Sequence, residues 1–263
     1  MRTKLVAGNW KMNFTCAEAV AAVESFARIV AIKETTDIVV CPPYLSIGRV
    51  RELLRNTHIK LGAQDVFWKD WGAYTGQISP PMLYDCGVTY CIVGHSETRG
   101  RFGATEVEEA DLGYFAETDR TVNHKIRALL YHSINPILCV GETQAEREAG
   151  RTDEVVTSQL EQGLAGIDPS ELYFLVVAYE PVWAIGTGNT CSVEEAERVC
   201  SSIRGWFARK MDEDLAEQVR ILYGGSVKAS NSDELFNQPN IDGGLVGGAS
   251  LDPGEFSRIV MSA

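Results

Sequence analysis

The sequence lacks the features of a membrane-spanning, secreted or nucleic-acid-binding protein. No apolar run approaches the roughly 20 residues that a membrane-spanning helix needs, and residues 1–11, MRTKLVAGNWK, contain no apolar core of a signal peptide. Lysine and arginine number 24 against 36 aspartates and glutamates, which gives a net charge of -12. An anionic chain is poorly suited to nonspecific binding of nucleic acid or of an anionic membrane. We therefore expect a cytoplasmic protein. Any site for an anionic ligand would need a locally positive electrostatic potential.

Cysteine and histidine are too scattered for a disulfide framework or a metal site. The seven cysteines are odd in number and form no CxxC pair, and the histidines form no HxxxH pair. Cys41, Cys91 and Cys139 lie in or at the end of apolar runs, as is typical of reduced core thiols in a cytosolic protein. We expect no disulfide, no metal and no cofactor.

Short apolar runs alternate with helix-like patterns along the whole chain. The predicted strands are Lys4–Ala7, Asp37–Cys41, Ile59–Ala63, Thr89–Val93, Pro136–Val140, Tyr173–Ala178, Val219–Tyr223 and a last one marked by Ile241 and Leu245-Val246. Eight strand–helix repeats predict an α/β fold, a single (β/α)8 barrel over residues 1–263, more readily than an open sheet. Nearly continuous apolar strands also fit strands that are buried on both faces.

Three helix starts carry capping signals, and one region is harder to interpret. Thr15 with Glu18 forms a capping-box pattern before the predicted helix Thr15–Ile32, and Ser192 begins the helix Ser192–Met211. Asp252 before Pro253 predicts the start of the last helix. The acidic region between the fourth strand and Tyr131 is predicted to be helical, with breaks at Gly103 and Gly113.

Polar and ionisable side chains stand where the predicted strands end, which is where such barrels place their sites. Asn9 and Lys11 follow strand one, His95 follows strand four, and Glu180 follows strand six. Glu180 is a candidate general base, and Lys11 is a cation for a phosphate or an oxyanion. His95, at a possible helix N-terminus, is expected to be a neutral donor. Each alone also fits a structural role: a core carboxylate, a surface lysine or a buried histidine.

Glycine pairs follow the last two strands, and an apolar loop follows Glu180. Gly225-Ser226 and Gly247-Gly248 leave backbone N–H groups open to an anion, although one pair alone indicates only a tight turn. The loop from Pro181 to Gly186 is apolar, unlike most surface loops, and so predicts a lid that excludes water. Together these groups indicate proton abstraction next to a carbonyl in a phosphorylated substrate.

Five motifs, in order along the full chain, closely resemble the triosephosphate isomerase family. They are GNWKMN at residues 8–13, GHSE at 94–97, AYEPVWAIGTG at 178–188, YGGSV at 223–227 and LVGGASL at 245–251. The resemblance implies interconversion of dihydroxyacetone phosphate and glyceraldehyde 3-phosphate. It implies that Glu180 is the base, that His95 is the electrophile, and that Lys11 with Asn9 stabilises negative charge.

The resemblance also implies the remaining parts of the site and an assembly. The phosphate-binding residues would be Gly186, Ser226, Gly247 and Gly248. Glu97 would support Lys11. Thr75 would lie in a loop that packs near the partner's site in a homodimer, which is also the commonest soluble assembly.

One segment departs from the family pattern. Thr98-Arg99 stands where most members carry two arginines, and an acidic insert lies around residues 98–114 with EVEEAD at Glu106–Asp111. The insert is expected to be either a solvated helix extension or a change to the substrate pocket or assembly. Three other functions stay open: an isomerase of four-carbon ketose phosphates such as erythrulose phosphate, a Schiff-base aldolase, and a non-catalytic paralogue.

Overall fold

Eight parallel strands close into one barrel in chain order. The computed structural model describes residues 2–104 and 107–263. Its strands are β1 (Lys4–Asn9), β2 (Thr36–Cys41), β3 (Lys60–Ala63), β4 (Tyr90–Val93), β5 (Asn135–Val140), β6 (Val176–Tyr179), β7 (Arg220–Tyr223) and β8 (Gly243–Val246). Each strand pairs with the next, and β8 returns to β1 with Leu245 opposite Ala7. The predicted (β/α)8 barrel is confirmed.

Helices surround the barrel. They are α1 (Cys16–Val30), α2 (Ile47–Leu54), α3 (Pro80–Asp85), α4 (Asp119–Tyr131), α5 (Gln144–Glu148), α6 (Thr152–Gly163), α7 (Val193–Lys210), α8 (Glu213–Gln218), α9 (Ser232–Phe236) and α10 (Pro253–Met261). The predicted capping box is present, because Thr15 accepts the Glu18 N–H and donates its own N–H to the Glu18 carboxylate. Ser192 and Asp252 cap α7 and α10 as predicted.

Side chains alternate between two cores because neighbouring residues of a strand point to opposite faces. Leu5 and Ala7 of β1 belong to the core inside the barrel, whereas Val6 belongs to the core between barrel and helices. In the outer core, Phe26 of α1 meets Phe256 of α10 edge to face at 5.4 Å between ring centroids. The barrel interior is therefore filled with side chains, and the described residues leave no channel for a ligand along the barrel axis.

The predicted helix between the fourth strand and Tyr131 is mostly wrong. Among the described residues of this region, only α4 is an α-helix; those before it form a loop with a 3₁₀ turn at Glu109–Tyr114. Gly100 adopts φ 67°, a left-handed conformation that an α-helix cannot contain. Thr105 and Glu106, part of the predicted acidic insert, lie outside the described residues.

Within the described residues, no helix is both long and apolar enough to cross a membrane.

Candidate active site

A cavity of about 420 Å³ opens at the carboxyl ends of the strands. Loops after β1, β4, β6, β7 and β8 line it. All eight of the predicted catalytic and phosphate-binding residues are among its lining residues: Asn9, Lys11, His95, Glu180, Gly186, Ser226, Gly247 and Gly248. The barrel thus brings together side chains that are up to 239 positions apart in the chain, from Asn9 to Gly248 (248 − 9).

Glu180 stands at the end of β6 and is 2% exposed. Its Oε2 accepts the backbone N–H of Ser96 at 3.0 Å. Its Oε1 lies 2.9 Å from Nε2 of His95. Burial alone would raise the pKa of Glu180, but His95 and the Ser96 N–H outweigh burial and hold this pKa below its ordinary value. The carboxylate is therefore ionised, with Oε2 held by the Ser96 N–H and Oε1 beside His95.

His95 presents a protonated nitrogen to the carboxylate. Its Nδ1 accepts the Glu97 backbone N–H at 3.2 Å, so the ring proton of the neutral form sits on Nε2. Burial lowers the pKa of His95, but the adjacent Glu180 carboxylate outweighs burial and raises this pKa above its ordinary value. The expected helix does not begin here: residues after His95 form one turn, closed by N–H groups of Thr98 and Arg99 on the His95 carbonyl. The prediction that His95 is neutral stays a prediction.

Lys11 is held in an unusual backbone conformation beside the cavity. Its φ is 51°, which costs energy for a residue with a β-carbon. The Lys11 N–H donates to Asn9 Oδ1 at 3.0 Å, and Gln64 donates to the Lys11 carbonyl at 2.8 Å. The ammonium group meets Glu97 Oε1 at 2.5 Å. Glu97 thus orients Lys11 from outside the cavity lining, and Gln64 is a supporting residue that the motifs did not reveal.

The glycine turns after β7 and β8 face the lysine. A β-carbon at Gly225 would lie 2.2 Å from the Tyr223 hydroxyl oxygen, so any larger residue there would have to displace the Tyr223 ring. A β-carbon at Gly247 would lie 3.5 Å from Cε of Lys11, which places the cation beside this turn. A short 3₁₀ helix, Gly248–Leu251, begins directly after it. Open backbone N–H groups and a lysine give this side of the cavity the character of an anion site.

The loop Pro181–Thr187, here called the lid, packs toward β5. The Val182 N–H donates to the Glu142 carbonyl at 3.1 Å, and the Trp183 indole donates to the Glu142 carboxylate at 2.8 Å. The guanidinium of Arg147 lies 4.1 Å from the Trp183 ring centroid. Among the described residues, no hydrogen bond joins the lid to the turns at Gly225 or Gly247. The lid is therefore not bonded to these turns, although Ala184, Ile185 and Gly186 line the same cavity, and we describe its position as open.

Thr75 lies outside the cavity. It is exposed in the loop between β3 and α3, which presents Trp71 and Tyr74 to solvent as well. A single chain is present, so the predicted packing of this loop against a partner stays a prediction.

The chain matches the triosephosphate isomerase family model over residues 4–263. It is 45% identical to a triosephosphate isomerase of Dictyoglomus thermophilum over 262 residues, covering 100% of both chains. It is 46% identical to one of Roseiflexus sp. over 260 residues, covering 99% of this chain and 97% of that one. A triosephosphate isomerase of Thermoanaerobacter sp. is 45% identical over 261 residues, covering 99% of each. With its barrel and full-length similarity, the chain belongs to the triosephosphate isomerase family.

Proposed function

We propose that this chain interconverts dihydroxyacetone phosphate and D-glyceraldehyde 3-phosphate through an enediolate, with Glu180 as the base. The observation that carries this proposal is the ionised Glu180 carboxylate, buried 2.9 Å from Nε2 of His95 in a cavity that Lys11 and the glycine turns also line. A general base must reach the proton that it abstracts and be ionised at working pH. Glu180 meets the second condition because its pKa lies below its ordinary value.

The proton and electron movements of the isomerisation give each polar side chain of the site a role. Glu180 takes a proton from C1 of dihydroxyacetone phosphate, and the electron pair of that bond forms the C1–C2 double bond while the carbonyl electrons move to the C2 oxygen. His95 Nε2–H and the Lys11 ammonium stabilise the negative oxygen, with Asn9 beside them. His95 then moves the hydroxyl proton from the C1 oxygen to the C2 oxygen. Glu180 returns its proton to C2, which leaves the aldehyde.

The phosphate would bind on the glycine side of the cavity. Ser226, Gly247 and Gly248 offer backbone N–H groups there, and Gly186 of the lid completes the enclosure when the lid closes. Closure is chemically necessary because an enediolate phosphate exposed to water eliminates its phosphate group. The apolar composition of the lid suits this purpose.

The proposed substrate is tested by comparing kcat/KM for D-glyceraldehyde 3-phosphate with kcat/KM for erythrulose 4-phosphate. We expect the triose to be preferred by orders of magnitude. A preference for the four-carbon substrate would instead assign the chain to the related tetrulose phosphate isomerases. Borohydride treatment in the presence of substrate should leave the protein unmodified, since covalent capture at Lys11 would indicate an aldolase.

The exposed apolar surface around the loops after β1, β2 and β3 supports a homodimer. Met12 is 97% exposed and Leu45 is 89% exposed. The loops are joined by hydrogen bonds: the thiol of Cys16, the first residue of α1, donates to the Leu45 carbonyl at 3.1 Å, and the Tyr44 hydroxyl donates to the Asp65 carbonyl at 2.5 Å. Large exposed apolar patches mark protein interfaces. A second copy would bury this surface and place its Thr75 near the site of the first.

A cytoplasmic location is part of the same proposal. All seven cysteines are free thiols, as is usual in a reducing compartment.

A further inference from the structure

Gly103 lies directly against the backbone of the lid. A β-carbon at Gly103 would be 2.3 Å from the carbonyl oxygen of Val182 and 2.4 Å from that of Ile185. The same atom would be 3.2 Å from Cγ2 of Thr187. The φ of Gly103 is not among the left-handed values of the chain, so its backbone conformation does not require glycine. What requires glycine here is the closeness of the lid.

The segment that carries Gly103 is fastened through the two residues that precede it, Arg101 and Phe102. The Arg101 guanidinium donates to the Gly141 carbonyl at 3.1 Å and forms an ion pair with Glu146. Phe102 packs edge to face on Phe115 at 5.2 Å between ring centroids. The segment therefore cannot move aside freely when the lid presses on it.

The segment and Glu142 hold the lid from the same side. Glu142 bonds Val182 and Trp183 of the lid, while the glycine turns that would bind phosphate lie across the cavity. Closing over a phosphate therefore means leaving Gly103.

We propose that Arg101–Gly103 forms a lid seat, in which Gly103 is a positioning residue that stabilises the open lid. The seat belongs to the region that departs from the family pattern, and it gives that region a role in the reaction. The proposal rests on the proposed function, because it assumes that the lid closes on a phosphorylated ligand. Contact with the seat lowers the free energy of the open lid relative to the closed lid. The balance between the two lid positions in turn affects how fast substrate is captured and product is released.

The matched pair Gly103→Ala and Gly113→Ala tests the seat. Both changes add one methyl group in the same loop, but a β-carbon at Gly113 would meet no atom within 4 Å. In Gly103→Ala the open lid clashes with the new methyl group, so the closed state gains population. We expect 2-phosphoglycolate, whose carboxylate mimics the enediolate, to bind several-fold more tightly. We also expect kcat and KM to fall together, because product release needs an open lid. Gly113→Ala should match the unchanged protein in all three values.

A second variant separates lid positioning from general damage to the fold. Arg101→Gln removes the ion pair with Glu146 that holds the seat in place. In the double variant Arg101→Gln/Gly103→Ala the segment can therefore shift away from the lid and relieve the clash. We expect the tighter 2-phosphoglycolate binding to be lost in the double variant, a coupling that independent effects would not produce.

The outcomes distinguish the seat from the function on which it rests. An active enzyme in which Gly103→Ala and Gly113→Ala behave alike overturns the seat alone. The same holds if the binding effect of Gly103→Ala persists unchanged after Arg101→Gln. Absence of triose turnover in the unchanged protein overturns the proposed function itself.

Discussion

At the scale of single residues, the site depends on how burial and neighbouring charges act on two side chains. Burial would push Glu180 and His95 toward their neutral forms, because charged groups are costly to remove from water. Their 2.9 Å contact outweighs that cost, so the pKa of Glu180 moves down and that of His95 moves up. The carboxylate that we propose as the base is thereby kept ionised although it is 2% exposed.

This coupling predicts a lower pKa for His95 in Glu180→Gln than in the unchanged protein. Without the carboxylate charge, burial dominates and disfavours the imidazolium. NMR titration of the His95 ring in the absence of ligand measures the change. Glu97→Gln should lower the same pKa by less, because Glu97 contributes less to it. An identical pKa in Glu180→Gln would contradict the account.

The same shift has a consequence for stability. The folded pKa of His95 lies above its ordinary value of 6.5, so its contribution to stability is complete below pH 6.5. It is lost as the pH rises through the folded pKa. Glu180 behaves in the opposite sense: its contribution is present above its ordinary pKa of 4.5 and is lost as the pH falls through the lower, folded value.

At the scale of elements, helix caps contribute to stability without touching the site. Asp252 accepts the Glu255 N–H at 2.6 Å and begins α10, which packs on α1. Asp252→Ala removes this acceptor and should cost about 1 kcal/mol. We expect the melting temperature to fall by about 2–4 °C in calorimetry, with kcat unchanged. Asp252→Asn keeps a capping oxygen and should remain close to the unchanged protein; equal losses in both variants would mean that the cap is not the cause.

The sequence pattern predicted the strands and helices that apolar periodicity or a capping residue marks. It missed the segments whose conformation depends on tertiary contacts. The strands were found because each is an apolar run between turns, and α1 because Thr15 and Glu18 mark its start. The helices α5 and α8 are too short to show an amphipathic period. The loop before α4 was mistaken for a helix because Arg101 and Gly103 are fixed by Gly141 and by the lid, contacts that sequence spacing does not reveal.

The candidate site was likewise predictable where the sequence marks it and not where tertiary contacts define it. Strand ends carry Lys11, His95 and Glu180, so the barrel order alone brings them together. Gln64 and Ser96 were not assigned roles, because each contact has a backbone group on one side: the Gln64 side-chain amide donates to the Lys11 carbonyl, and the backbone N–H of Ser96 donates to Glu180. Spacing in the sequence does not reveal such contacts.

At the scale of the whole molecule, the apolar surface beside the site predicts that activity depends on assembly. Lys11 sits in a strained conformation within the loops that would form the interface. A partner that packs on those loops would make the strained conformation more rigid. We expect analytical ultracentrifugation to show a mass of about twice 28.9 kDa.

Charged substitutions test this dependence. Trp71 is 73% exposed in the loop after β3, so Trp71→Glu should disrupt the dimer and lower kcat with it. Ile32 is 77% exposed just after α1, and Ile32→Glu should leave both mass and activity unchanged. A fully active protein of 28.9 kDa would contradict the proposed dimer.

The central claim is that the Glu180 carboxylate is the base that moves the proton, and Glu180→Asp tests it most directly. The substitution keeps the charge but withdraws the carboxylate by one methylene group, and misplacement by about 1 Å is enough to cost roughly 10²-fold in rate. With D-glyceraldehyde 3-phosphate as substrate, we predict that kcat falls by about that factor or more while the melting temperature stays nearly constant. Near-normal kcat in Glu180→Asp would contradict the account and remove Glu180 from its role.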